Sequence, residues 1–179
     1  MPYLQAVYWD LDGTIANTEL EAHLPAFNNS FKDLSLDWYW DKKTYLDLLK
    51  INGGRNRISF FAKQKGVDIN LDFVIKIHKK KQEHYLNLVN SGVVTLKNGV
   101  YRLIKELSFK KVRQFIVTSS SRNQVELLVS KLFNDKNYFE FFITSDDVQS
   151  LKPHPIPFLK AIELSGIKIT NSIAFEDSN

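Results

Sequence analysis

The chain has 179 residues, 44% hydrophobic and 25% charged, with 24 Lys and Arg against 20 Asp and Glu for a formal net charge of +4. That length fits one domain with a modest insertion, and the balanced composition excludes a disordered, collagen-like or low-complexity chain. The absence of cysteine removes disulfide scaffolds, cysteine zinc sites, iron–sulfur clusters and a thiol nucleophile, and it fits a reducing, cytoplasmic setting. The mild basicity suits an anionic small molecule and is too diffuse for a nucleic-acid partner. No apolar run approaches the ~20 residues of a membrane span. Met1-Pro2-Tyr3-Leu4 lacks the basic and apolar stretches of a signal peptide.

The pattern along the chain predicts an α/β fold. Leu4 to Trp9 is a short apolar run, read as a buried strand, and it runs into the polar turn Asp10-Leu11-Asp12-Gly13-Thr14. Leu20, Leu24, Phe27 and Phe31 fall on one helical face, with Asn17 or Thr18 as the expected cap. An aromatic-rich stretch with Trp38, Tyr39, Trp40 and Tyr45 turns helical after Asp41. A further helix follows the Gly53-Gly54 pair and ends near Gly66. Leu71 to Asn90 reads as a helix with Phe73, Ile77, Tyr85 and Leu88 inward, and the basic run Lys79-Lys80-Lys81 as its solvated face.

From about residue 96 the texture alternates. A helix at Val100 to Leu107 precedes a strand at Phe115 to Val117. A helix at Gln124 to Leu132 precedes a strand at Phe139 to Ile143. A helix at Pro155 to Leu164 precedes a last strand at Ser172 to Phe175. This alternation predicts a Rossmann-like parallel sheet. The expected division is a discontinuous core, residues 1–18 and 96–179, with a helical module inserted at residues 19–95. The core is expected to be short at its C-terminal side.

In an open parallel sheet the working groups gather at the carboxyl ends of the strands. Here the first strand ends in Asp10 and Asp12, the second in Thr118-Ser119-Ser120, and the last in Glu176-Asp177. Lys152 follows the third strand. Carboxylates are hard ligands suited to Mg²⁺, and a lysine with hydroxyls can hold phosphate oxygens. The pattern therefore points to a Mg²⁺ and phosphate site. For Asp146 and Asp147 a capping or structural role weighs at least as much as metal binding, so they are left out of the metal set, and the four histidines show no metal spacing.

Asp10-Leu-Asp-Gly-Thr14, Ile116-Val-Thr-Ser119, Lys152-Pro153 and Phe175-Glu-Asp-Ser178, in that order, resemble the four motifs of the haloacid dehalogenase-like hydrolase superfamily. The resemblance implies a phosphatase. Asp10 would be the nucleophile that forms an aspartyl-phosphate, and Asp12 the general acid and base. Ser119 would hold the phosphoryl group, with Thr118 the competing choice of register, and Lys152 would neutralise charge. Asp10, Asp12, Glu176 and Asp177 would hold Mg²⁺, Asp12 through its carbonyl oxygen. Thr14 and Ser120 would line the substrate site. The third motif departs from the family at Ile156, where an aspartate is usual.

The helical insert narrows the resemblance. Asp12 to Glu19, His23, Leu36 to Asp41 and Gly53-Gly-Arg-Asn-Arg57-Ile58 are similar to the CbbY-like branch of sugar-phosphate phosphatases. In that branch the insert is a cap that closes over the active site. The resemblance implies hydrolysis of a small phosphorylated sugar, xylulose 1,5-bisphosphate first, with Glu19 and His23 at the substrate and Arg55 and Arg57 for the distal phosphate. It implies a monomer in the cytoplasm, or in the plastid stroma of a plant or alga. The competing readings are a β-phosphoglucomutase-like phosphomutase, a phosphoglycolate phosphatase, and a non-catalytic protein that binds a phosphometabolite.

Overall fold

The computed structural model describes residues 3–178. The chain divides into two compact units, one of residues 1–18 and 94–179 and the other of residues 19–93.

The first unit is built on a four-stranded parallel sheet. Strand β1 (Ala6–Trp9) is central and fully buried. It pairs with β2 (Arg113–Val117) on one side and β4 (Ser172–Phe175) on the other, and β3 (Phe142–Ile143) lies outside β2, for the order β3-β2-β1-β4. The register sets Trp9 opposite both Ile116 and Phe175, so the strand ends of β1, β2 and β4 are level. Strand β3 is shorter than the expected Phe139–Ile143. Phe142 and Ile143 are in register with β2, and the backbone just before them still bonds to it, Glu140 N–H to Gln114 O at 2.9 Å and Ile116 N–H to Phe141 O at 3.2 Å, while the buried Phe139 ring packs edge-on against Phe133, 5.5 Å between centroids.

The α-helices α5 (Val100–Phe109), α6 (Arg122–Phe133) and α7 (Ile156–Ser165) belong to this unit. Helix α6 opens on a capping box in which Ser121 and Gln124 satisfy first-turn donors. At the start of α7, His154 Nδ1 accepts from the Ile156 backbone at 3.2 Å. That bond takes up the first N–H of the helix, at the position where the usual aspartate is replaced. Tyr8 and Trp9 are accommodated at full burial because each polar tip has a partner. Tyr8 Oη meets Ser165 Oγ at 2.7 Å, and Trp9 Nε1 donates to Gln114 Oε1 at 3.1 Å.

The second unit is all helical. A π-helical turn (Glu19–His23) leads into α1 (Leu24–Asp33), followed by α2 (Lys42–Leu48), α3 (Gly54–Gln64) and α4 (Leu71–Asn90). Neither expected cap serves the first helix. The Asn17 amide donates to Thr95 Oγ1 at 2.9 Å, and the Thr18 hydroxyl is buried with no hydrogen-bond partner among the described residues. Asp41 and Asn70 cap α2 and α4. The core is aromatic, with Phe27, Phe31, Trp38, Trp40, Tyr45 and Phe61 in mutual contact. Helix α4 buries Val74, Ile77, Lys81, Tyr85 and Val89, so Phe73 and Leu88 lie only at its margin. No helix among the described residues is long and apolar enough to cross a membrane.

Gln114 is a buried polar residue inside β2. Its amide nitrogen donates to Ile104 O at 3.0 Å and to Ser108 Oγ at 2.8 Å, while its oxygen holds Trp9. Replacing it by leucine strands the Trp9 N–H in the core. Gln114→Leu is expected to lower the unfolding free energy by about 1–3 kcal/mol in urea denaturation. An unchanged midpoint would show that the amide contributes no stability.

Candidate active site

The level strand ends assemble a compact acidic site in the first unit. The Asp10 backbone N–H donates to Phe175 O at 2.9 Å, extending the β1–β4 ladder one residue and setting Asp10 beside Glu176. Lys152, from the segment before α7, bridges the two. Its Nζ donates to Asp10 Oδ1 and, at 2.5 Å, to Glu176 Oε2. Asp10 is 4% exposed, and its other oxygen, Oδ2, has no hydrogen-bond partner among the described residues.

The electrostatics follow from this burial. Desolvation pushes the Asp10 carboxyl up to about 7, against the pull of Lys152, and the neighbouring Glu176 and Asp12 add to the rise. Burial also works against the Lys152 ammonium, but Asp10 and Glu176 outweigh it and raise its pKa. One carboxylate oxygen each from Asp10, Glu176 and Asp177 lie within 4.8 Å of one another. Gathered carboxylates of this kind repel one another and favour a cation between them.

The turn after β1 is shaped for that gathering. Gly13 has φ +90°, and a Cβ there would stand 2.4 Å from Asp177 Oδ2. Thr14 Oγ1 donates to Asp177 Oδ1 at 3.0 Å, so this hydroxyl holds a carboxylate. The Asp12 carboxylate lies outside the three-acid group. Its Oδ2 accepts from Ser120 Oγ at 2.5 Å.

The polar run after β2 divides by burial. Thr118 is buried, and its Oγ1 accepts from the Ser120 backbone at 3.2 Å, whereas Ser119 is exposed. Asp146 and Asp147 serve the scaffold. Asp146 accepts from the Arg122 backbone at 2.9 Å, and Asp147 from the Arg122 guanidinium at 2.6 Å.

The remaining candidates lie in the helical unit. Glu19 accepts from the Tyr45 hydroxyl. His23 stacks on Tyr85, 4.4 Å between centroids, with its Nδ1 2.6 Å from Lys81 Nζ. Arg57 donates its Nε to Ile51 O at 2.9 Å, and Arg55 is exposed. Lys81 is only 5% exposed, which overturns the reading of the basic run as wholly solvated. Burial, with Lys81, Arg55 and His23 nearby, holds His78 down at about 4. The pattern of the sequence sets Lys81 on the solvated face and gives His78 no role beyond lacking metal spacing. The signal for Lys81 was its i+4 spacing between Ile77 and Tyr85, which puts it on the buried stripe.

The model of the family described as haloacid dehalogenase-like hydrolase matches residues 7–179. The chain belongs to that family. It is 35% identical to protein CbbY of Rhodobacter capsulatus over 177 residues, covering 98% of this chain and 78% of the relative. It is 34% identical to protein CbbY of Cereibacter sphaeroides, covering 98% and 76%. Among solved structures, CbbY from Rhodobacter sphaeroides in complex with xylulose 1,5-bisphosphate superposes with a TM-score of 0.86. That pair is 31% identical and covers 98% of this chain and 78% of that one. This haloacid dehalogenase-like chain is therefore a phosphatase with a CbbY-like sequence and fold.

Gly13→Ala tests the turn. Left-handed backbone alone costs a residue with a Cβ about 1–2 kcal/mol, and the contact with Asp177 adds to it. Thermal or urea unfolding is expected to show at least that loss. Full stability in the variant would mean that the turn relaxes without cost.

Proposed function

We propose that this protein is a Mg²⁺-dependent phosphatase that cleaves a small sugar bisphosphate, xylulose 1,5-bisphosphate in the first place, through an aspartyl-phosphate on Asp10. The observation that carries the reading is the Asp10 environment: a buried carboxylate held by Lys152 at one oxygen and without a partner at the other. That orphaned oxygen, with the hard-oxygen set of Asp10, Glu176 and Asp177, fits a divalent cation. A bound cation would offset the mutual repulsion of the carboxylates, favour ionised Asp10 and screen phosphoryl oxygens.

In the proposed reaction, an Asp10 oxygen attacks phosphorus as the ester P–O bond breaks, and Asp12 gives its proton to the departing sugar oxygen. Asp12 then takes a proton from water, which attacks the aspartyl-phosphate, frees Asp10 and releases inorganic phosphate. Lys152 balances the charge that builds on the transferring group. The exposure of Ser119, beside a Thr118 hydroxyl already engaged with backbone, supports Ser119 as the phosphoryl ligand.

For the second phosphate the reading turns to the helical unit, residues 19–93, proposed as the cap. Arg55, with Lys81 and His23 close enough to depress His78, is the stronger candidate, because Arg57 is already tied to Ile51. The specific sugar is supported by the CbbY structure that holds xylulose 1,5-bisphosphate.

Phosphate release from a panel of sugar phosphates, with and without Mg²⁺, tests the assignment. The bisphosphopentulose should be preferred, and chelation should abolish turnover. Arg55→Ala should raise KM for the bisphosphate about tenfold or more and change monophosphates far less, since a phosphate–guanidinium pair is among the stronger charge-assisted contacts. Equal rates on all monophosphates and bisphosphates, or an unchanged ratio in the variant, would contradict the distal-phosphate assignment.

A further inference from the structure

We propose that Ser120 is a positioning residue for proton transfer: its hydroxyl fixes the Asp12 carboxylate and assigns the reacting proton to Asp12 Oδ1. The inference rests on the reading of Asp12 as the general acid, and it gives Ser120 a role different from contact with substrate.

Ser120 is a fixed post. Its carbonyl accepts from the Ser145 backbone at 3.0 Å, and its N–H donates to Thr118 Oγ1 at 3.2 Å. The next residue begins the capping box of α6, and Arg122 N–H is held by Asp146 at 2.9 Å. With the backbone pinned on both sides, the Ser120 side chain has one heavy-atom rotation left. It uses it to reach Asp12 Oδ2 at 2.5 Å.

A serine hydroxyl has a single proton to donate. Here it goes to Asp12 Oδ2; with that oxygen occupied as acceptor, the transferable proton belongs on Oδ1. The bond also opposes rotation of the carboxylate about its last torsion, which is broad for aspartate when unrestrained. General acid catalysis requires the donor within about 2.6–3.2 Å of the leaving oxygen, so a carboxylate free to turn would spend part of its time misaligned.

A donor that positions an acid matters in proportion to how much the leaving group needs the proton. A sugar alkoxide needs it; p-nitrophenolate does not. The second-order constant kcat/KM reports the first phosphoryl transfer and separates this effect from later hydrolysis. Relative to the unmodified enzyme, Ser120→Ala is expected to lose about tenfold in kcat/KM on the sugar phosphate, a part of what a full general acid supplies. On p-nitrophenyl phosphate it should lose less than about threefold. Ser120→Thr, which keeps the hydroxyl, should recover most of the sugar-phosphate rate. Equal losses on both substrates, or no loss on either, would overturn the proposal. Asp12→Asn, measured beside it, separates the two ideas. If Asp12→Asn shows no dependence on leaving group, the reading of Asp12 as the acid fails. If Asp12→Asn shows it and Ser120→Ala does not, only the role of Ser120 fails.

Discussion

The site depends on one half-buried ammonium. Lys152 stands between Asp10 and Glu176, and without it the buried Asp10 carboxylate would face the Glu176 carboxylate at the next strand end with no cation between them. Even with it, burial and the neighbouring acids push Asp10 well above the usual carboxylate range. Glu176 and Asp177 therefore form a region of negative potential that Lys152 only partly offsets. A site arranged in this way is suited to bring in a cation, which offsets the excess negative charge and, with Lys152, can hold an anionic phosphate.

The sheet register makes this possible. Parallel pairing sets Trp9 level with Ile116 and with Phe175, so the residues that follow each strand emerge at one edge. Asp10, the Thr118–Ser120 run and Glu176-Asp177 come from chain positions more than a hundred residues apart in part, yet each is the first group past a strand end. A shift of one residue in either pairing would turn the following side chains to the opposite face. The interior polar bonds of Gln114 and Tyr8 guard that register, because a slip would leave their buried partners unsatisfied.

The sequence was most informative where local chemistry and tertiary position agree. Strand β4 and helix α4 have the boundaries that their apolar periodicity implies, and the acids at the strand ends follow from the α/β pattern. It was least informative where a side chain's partner lies far along the chain. The Ser120–Asp12 bond spans 108 positions, and no periodicity announces it. Lys81 reads as solvent-facing because lysine usually is. Its burial on the aromatic faces of Tyr85 and Phe27, about 5.0 and 5.1 Å from the ring centres, is a tertiary effect. Asn17 and Thr18 look like caps, but the Asn17 side chain goes to Thr95 and Leu96 instead.

The central claim is that Asp10 is the group that becomes phosphorylated. The most direct test is acid quenching during turnover, followed by peptide mapping with mass spectrometry. The account predicts a phosphoryl group on the peptide that carries Asp10, removable by hydroxylamine as an acyl phosphate is. A phosphoryl group on Ser119 or another side chain, or turnover with no phosphorylated peptide under conditions that trap acyl phosphates, would contradict it.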